Sequence, residues 1–271
     1  MNLSKFFINV ITGLVLAGTI FSLHAQEKPI IKEFGPTPPK SVAYIGNSFF
    51  YFNNGIISHL SPMIAEGMKG HPYRSSMITI SGSGFDWHDV DSYFRPNAIG
   101  KYSFAPDNSV VFNDSNHKLF EASVMMDCSQ CPIHPTMKPI FTEYAKKHSD
   151  TVRKHGSTPV FFMSWAYQDK PEMTQQLADA YTVAGNANHA LVIPAGLAFA
   201  RSIAVRPEVN LYAPDKRHPS VEGTYLSAAT TYATLFNQSP VGLKFSAGLT
   251  PEVANHLQQV AWDTVQQYFN R

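Results

Sequence analysis

Two short stretches hold the residue types of nucleophilic catalysis. "YIGNSFFYF" (44–52) puts Ser48 directly after an apolar run and a glycine, and "APDKRHPS" (213–220) places Asp215 three residues before His218. A serine hydroxyl is a poor nucleophile until a neighbouring imidazole accepts its proton. That imidazole works best when a carboxylate fixes its tautomer and stabilises its cation. His218 can be the base and Asp215 its partner, because one loop can turn the carboxylate back onto Nδ1 while Nε2 faces Ser48. Each stretch by itself also reads as a solvated turn or a strand end. A nucleophile further needs donors aimed where an oxyanion forms. "ISGSGFDW" (80–87) offers the backbone N–H of Gly82, with Gly84 as second choice, since glycine lets a main chain approach a substrate closely.

Other signatures are missing. Trp87 stands where the third glycine of a dinucleotide fingerprint belongs, and the chain has no G-x-S-x-G elbow, no H-E-x-x-H and no G-x-x-x-x-G-K-[ST] loop. His59, His88, His117 and His148 are scattered and read as surface or partly packed residues rather than metal ligands. Phe49, Phe50, Trp87 and Trp165 are candidates to line a substrate pocket, with aromatic core packing the alternative for at least half of them.

The elements that must carry these residues follow from hydrophobic patterning. Continuous apolar runs at 41–46, 75–81, 122–127, 158–166 and 190–196 read as strands covered on both faces. Helical periodicity marks 138–155, 173–185, 197–205 and 220–236, and a last helix opens with Thr250 as N-cap and Pro251 at its first position. Alternation of strand and helix implies an α/β fold: a three-layer α/β/α sandwich around a mostly parallel five-stranded sheet. The segment 88–121 breaks the alternation and looks like a hairpin or inserted loop. Ligands bind such sheets at the carboxyl ends of the strands, and Ser48, Gly82, Asp127 and Trp165 all fall at or just past those ends.

A length of 271 residues with 44% hydrophobic and 15% charged residues suits one globular domain. A net charge of +1, with no run of like charges, argues against nucleic acid as a partner. The opening "MNLSKFFINVITGLVLAGTIFSLHAQ" has a lone early lysine, an apolar run from Phe6 to Leu23 and a small residue, Ala25. It is laid out as a signal peptide, 1–25, cleaved after Ala25, with retention as a membrane anchor the alternative for so long a run. Residues 26–40 then form a proline-rich leader, and 41–271 the single catalytic domain. The expected location is periplasmic or secreted, with no stable membrane insertion after cleavage. Export also bears on Cys128 and Cys131. In an oxidising compartment a lone C-x-x-C pair closes as a local disulfide, and it lacks the further ligands that zinc needs; free thiols or a thiol-exchange role are the alternatives.

Taken together, "YIGNS", "ISGSG" and "DKRHPS" resemble three blocks of the SGNH hydrolases, the GDSL esterase and lipase superfamily, with Asn47 where aspartate is more usual. "DKRHPSVEGTYLSAATTYATLFNQSPVG" and "LQQVAWDTVQQY" resemble a bacterial branch whose serine lies in G-N-S-F, and the similarity runs over about 41–268. The resemblance implies a flavodoxin-like sheet and an esterase that needs no cofactor or metal. It makes Ser48 the nucleophile, His218 the base and Asp215 its orienting acid, with the N–H groups of Gly82 and Ser48 as oxyanion donors. The substrate it implies is a small-molecule or glycan ester with a short acyl group. A further block of that family, G-x-N-D, supplies an asparagine donor. "VFND" offers Asn113 too early in the chain order, whereas "MMDCSQCP" stands in the right order without an asparagine, which makes Gln130 the preferred substitute, ahead of Asn113 or a backbone N–H near Cys128. The rival readings are a non-catalytic binding protein on the same fold and a thiol-disulfide protein built on "CSQC". No feature of the sequence bears on the oligomeric state.

Overall fold

The computed structural model describes residues 27–95, 102–112 and 118–271. Residues 1–25, expected from the sequence to be a signal peptide, and Asn113 and His117 lie outside the described residues. Five parallel strands form one sheet in the order β2-β1-β5-β6-β7: β1 (Ser41–Gly46), β2 (Arg74–Thr79), β5 (Ala122–Met125), β6 (Thr158–Phe162) and β7 (Leu191–Ile193). Every residue of β1, β5 and β7 is buried, as the unbroken apolar runs require. A two-stranded antiparallel hairpin, β3 (Tyr102–Phe104) and β4 (Val110–Phe112), occupies the segment that breaks the strand and helix alternation.

The helices cover both faces. On one side α2 (Gly55–Gly67), α6 (Val221–Phe236) and α7 (Pro251–Phe269) pack on one another; on the other, α3 (Lys138–Lys154) and α4 (Met173–Ala187) lie against β6, and α5 (Ala195–Val205) joins the two layers beside β7. Residues 223–236 of α6 are all buried, so this helix is enclosed on every side. Thr250 caps α7 through its side chain, with Pro251 in the first turn. Among the described residues no helix is long and apolar enough to cross a membrane.

Four strands stop short of their apolar runs, β2 ending at Thr79 where the run continues to residue 81. β6 ends at Phe162, although apolarity continues to Ala166: the Met163 N–H still reaches the Ile193 carbonyl at 3.0 Å, while Trp165 and Ala166 are buried by packing beyond the paired residues. β7 likewise gives way to α5 at Ala195, and β5 ends at Met125 where the chain turns toward Cys128. The reversal point of the strand order lies at β1, which has β2 on one flank and β5 on the other. A crevice at the carboxyl end of β1 is where such folds bind ligands.

Candidate active site

Ser48 follows β1 as the first residue of a one-turn helix, α1 (Ser48–Tyr51). Asn47 caps that turn, its Oδ1 accepting from the Phe49 N–H at 3.2 Å. The Ser48 N–H belongs to the first turn, whose donors have no partner inside a helix. Its hydroxyl lies 2.8 Å from His218 Nε2. His218 Nδ1 in turn bonds Asp215 Oδ2, whose other oxygen accepts from the backbone N–H groups of Arg217 and His218 at 3.0 Å each. Partial burial pushes the Asp215 carboxyl up, but these hydrogen bonds outweigh it and hold the group at about 2. Asp215 is therefore a carboxylate throughout the neutral range and fixes His218 with Nδ1 protonated and Nε2 free to accept from serine.

The loop bearing the pair is fastened on all sides. Trp165 Nε1 donates to the Arg217 carbonyl at 2.9 Å, the Gln168 N–H to the Lys216 carbonyl at 3.1 Å, and Asn53 Nδ2 to the Pro219 carbonyl at 2.7 Å. Arg217 pairs with Asp169 at 2.5 Å and lies over the Tyr167 ring. Phe52 stacks on the His218 ring at 3.9 Å between centroids, and Phe49 meets it edge-on. Neither Asn53 nor Phe52 is evident as a site residue in the sequence. The signal available is "FNNG" just after the serine turn: Asn53, Asn54 and Gly55 all have positive φ, so this tight link brings Asn53 against the histidine loop.

The expected substrate-lining aromatics divide. Trp165 is wholly buried and Phe49 is 8% exposed. They form a stack with Phe199, with centroids 4.6 and 4.2 Å apart. Both therefore support the histidine loop instead of facing a substrate, which corrects the pocket-lining expectation; Phe50 is buried too. A cavity of about 400 Å³ lined by Phe199, Ile203 and Leu211 opens at the far end of that stack from Ser48. Trp87 is 59% exposed, but it lines a groove beside α3 with Tyr144 and Lys147.

Gly82 sits in an exposed turn with φ of +72°, a conformation that glycine adopts at no steric cost. Gly84 is tightly enclosed: a Cβ there would lie 2.7 Å from Asp86 Oδ1 and 3.0 Å from Asp127 Oδ1. Asp127 Oδ1 accepts from the N–H groups of Phe85 and Cys128, both at 2.7 Å. Burial raises the Asp127 carboxyl to about 6 against the pull of those bonds. Cys128 and Cys131 form a disulfide that closes the turn after β5. Gln130 lies in that turn, where the chain order puts it, but its amide nitrogen rests on Met173 Sδ at 3.9 Å, so the expected contact with the serine site is not the one it makes.

Three of the scattered histidines are not at the surface. His59, His88 and His148 are each at least 95% buried, and Nε2 of each lies within hydrogen-bond reach of a main-chain carbonyl: Asn53, Gly46 and Phe85 respectively. Burial lowers all three, His88 to about 4 with the help of nearby His148, so that ring is neutral and serves as structure.

No protein-family model matches the chain, and neither does any curated protein. Solved structures do resemble it. A DUF4886 family protein from Bacteroides uniformis superposes with a TM-score of 0.58 at 16% identity, over 84% of this chain and 95% of that one. A putative GDSL-like lipase from Parabacteroides merdae gives 0.55 at 10% identity, over 74% and 97%. A catalytic mutant of Axe2, an acetylxylan esterase from Geobacillus stearothermophilus, gives 0.53 at 12% identity, over 77% and 97%. The chain has the fold of the SGNH hydrolases.

Proposed function

We propose that the protein is an exported serine hydrolase that cleaves carboxylic esters through an acyl-enzyme. The observation that carries this reading is the unbroken chain of hydrogen bonds from Asp215 through His218 to Ser48 Oγ, 2.8 Å from the imidazole. His218 Nε2 takes the hydroxyl proton as Ser48 Oγ attacks the ester carbonyl carbon. The carbonyl electron pair moves onto oxygen, where the N–H groups of Ser48 and Gly82 hold it. Collapse of this intermediate breaks the bond to the alcohol oxygen, which leaves with the proton from His218. Water, deprotonated by the same imidazole, then attacks the acyl group, and the acid departs as Ser48 regains its proton.

Short acyl groups on carbohydrate or cell-envelope material are the proposed substrates. The fold likeness to an acetylxylan esterase supports this. Residues 1–25 would direct export and be removed, with 26–40 a leader to the catalytic domain 41–271; the Cys128–Cys131 disulfide supports an oxidising compartment. The test is turnover of p-nitrophenyl esters by protein beginning at residue 26. Acetate should be hydrolysed faster than octanoate, and Ser48→Ala should lower kcat by about 10⁵-fold or more. A correctly folded wild type that hydrolyses none of these esters would end the hydrolase reading.

A further inference from the structure

Asn47 stands immediately before Ser48 and is 4% exposed. It occupies the reversal point of the sheet, where the chains leaving β2 and β5 diverge on either side of β1. Its side chain spans that divergence. Nδ2 donates to the Ser83 carbonyl, beyond β2, and to the Asp127 carbonyl, beyond β5, each at 3.1 Å, while Oδ1 caps α1.

An amide fits this place for a chemical reason. Both facing groups are carbonyl oxygens, and the NH₂ of asparagine supplies one hydrogen to each. An ionised aspartate has only acceptors, so it would set a buried negative oxygen against two carbonyl oxygens. The more usual aspartate of this motif is thus replaced by the one isosteric side chain that can bridge these partners. The consequence reaches Gly82. Apart from its chain neighbours, no atom lies within 4 Å of where a Cβ on Gly82 would be, so packing on that side does little to place it. Its position comes through its two neighbours: Ser81, whose hydroxyl bonds that of Tyr51, and Ser83, which is held by Asn47, by its own hydroxyl on the Gly46 carbonyl at 3.2 Å, and by His88 Nε2 at 3.0 Å.

We propose that Asn47 is a positioning residue that sets the separation of the Ser48 and Gly82 N–H groups by bridging the Ser83 and Asp127 carbonyls. This rests on the hydrolase reading above. It acts on the transition state alone, since the two N–H groups meet charge only once the carbonyl oxygen becomes an oxyanion.

The test uses Asn47→Asp and Asn47→Ser. Both keep an oxygen able to cap α1, and both lose the bridging NH₂. With p-nitrophenyl acetate, kcat should fall about 100-fold in each, the scale of one lost oxyanion donor, with KM within about twofold of wild type. Affinity for an aryl trifluoromethyl ketone, whose adduct on serine carries the oxyanion, should fall by the same factor. Measurements are made where circular dichroism shows the variants folded, and Asn47→Ser, which buries no charge, decides the matter if Asn47→Asp does not fold. A folded Asn47→Ser with kcat within about threefold of wild type overturns the proposal. So does a loss of kcat without a matching loss of ketone affinity, or a failure of Asn47→Ser to fold at any temperature, which would assign Asn47 to stability. A wild type without Ser48-dependent turnover overturns the hydrolase reading and this one together, whereas an active wild type with an indifferent Asn47→Ser overturns this one alone.

Discussion

The loop carrying Asp215 and His218 is fastened at Lys216, Arg217, His218 and Pro219, whereas Gly82 has open space beside it and is held through the residues on either side, Ser81 on the Tyr51 hydroxyl and Ser83 on Asn47, Gly46 and His88. The difference matches what each side must do. A histidine that relays a proton needs its ring plane and its tautomer fixed, and a side chain with two rotatable bonds keeps neither unless packing and hydrogen bonds hold it. Phe52 against one ring face, Asp215 on Nδ1 and Trp165 beneath the loop supply that. A backbone N–H has no rotamers. Its direction follows from the chain path, which a glycine at positive φ and anchors on the next residue are enough to set.

The comparison can be strained on each side. The largest effect is expected on the fastened side: Asp215→Asn keeps the shape but removes the charge that stabilises the imidazolium and the acceptor that fixes its tautomer. It should lower kcat by about 10³ to 10⁴-fold with KM little changed, read from steady-state kinetics on an aryl acetate. Trp165→Phe preserves the stack between Phe49 and Phe199 while deleting the N–H that holds the Arg217 carbonyl. A kcat reduced by about tenfold is expected, with thermal melts showing a stability loss of about 1 kcal/mol for one buried hydrogen bond. The smallest effect belongs to the open side. Gln130→Ala should change kcat/KM by less than about threefold, because its amide lies on Met173; a loss near 100-fold would make Gln130 a full oxyanion donor after all and erase the contrast.

Much of the fold was legible because buried parallel strands announce themselves as unbroken apolar runs and their ends carry the polar residues of a site. Where reading fell short, two different forces share one signature. Trp165 and Ala166 are apolar like the strand before them, yet they serve packing and not pairing, so the run 158–166 overstates β6. The helices read from periodicity do not include 55–67, a segment with Pro62 in its middle. Burial of Ile56, Leu60, Met63 and Ile64 against the core keeps α2 helical despite that interruption. That Ser48, His218 and Asp215 come within hydrogen-bond reach of one another was readable from residue type and from the strand end. Trp165 was found as a strand-end residue but misjudged in role, because composition cannot say whether an indole faces a cavity or supports a loop. Gln130 was placed in the right turn; the direction of its side chain depends on Met173, 43 residues away, a contact that no local pattern encodes.

The central claim is that Ser48 is a nucleophile activated by His218. Its most direct measurement is the site of covalent attachment of a fluorophosphonate, located by peptide mass spectrometry in the folded protein. The account predicts a single adduct on the peptide containing Ser48, abolished by Ser48→Ala, strongly slowed by His218→Ala and retained when Cys128 and Cys131 are both serine. No adduct at Ser48, or an adduct elsewhere that survives Ser48→Ala, would contradict it.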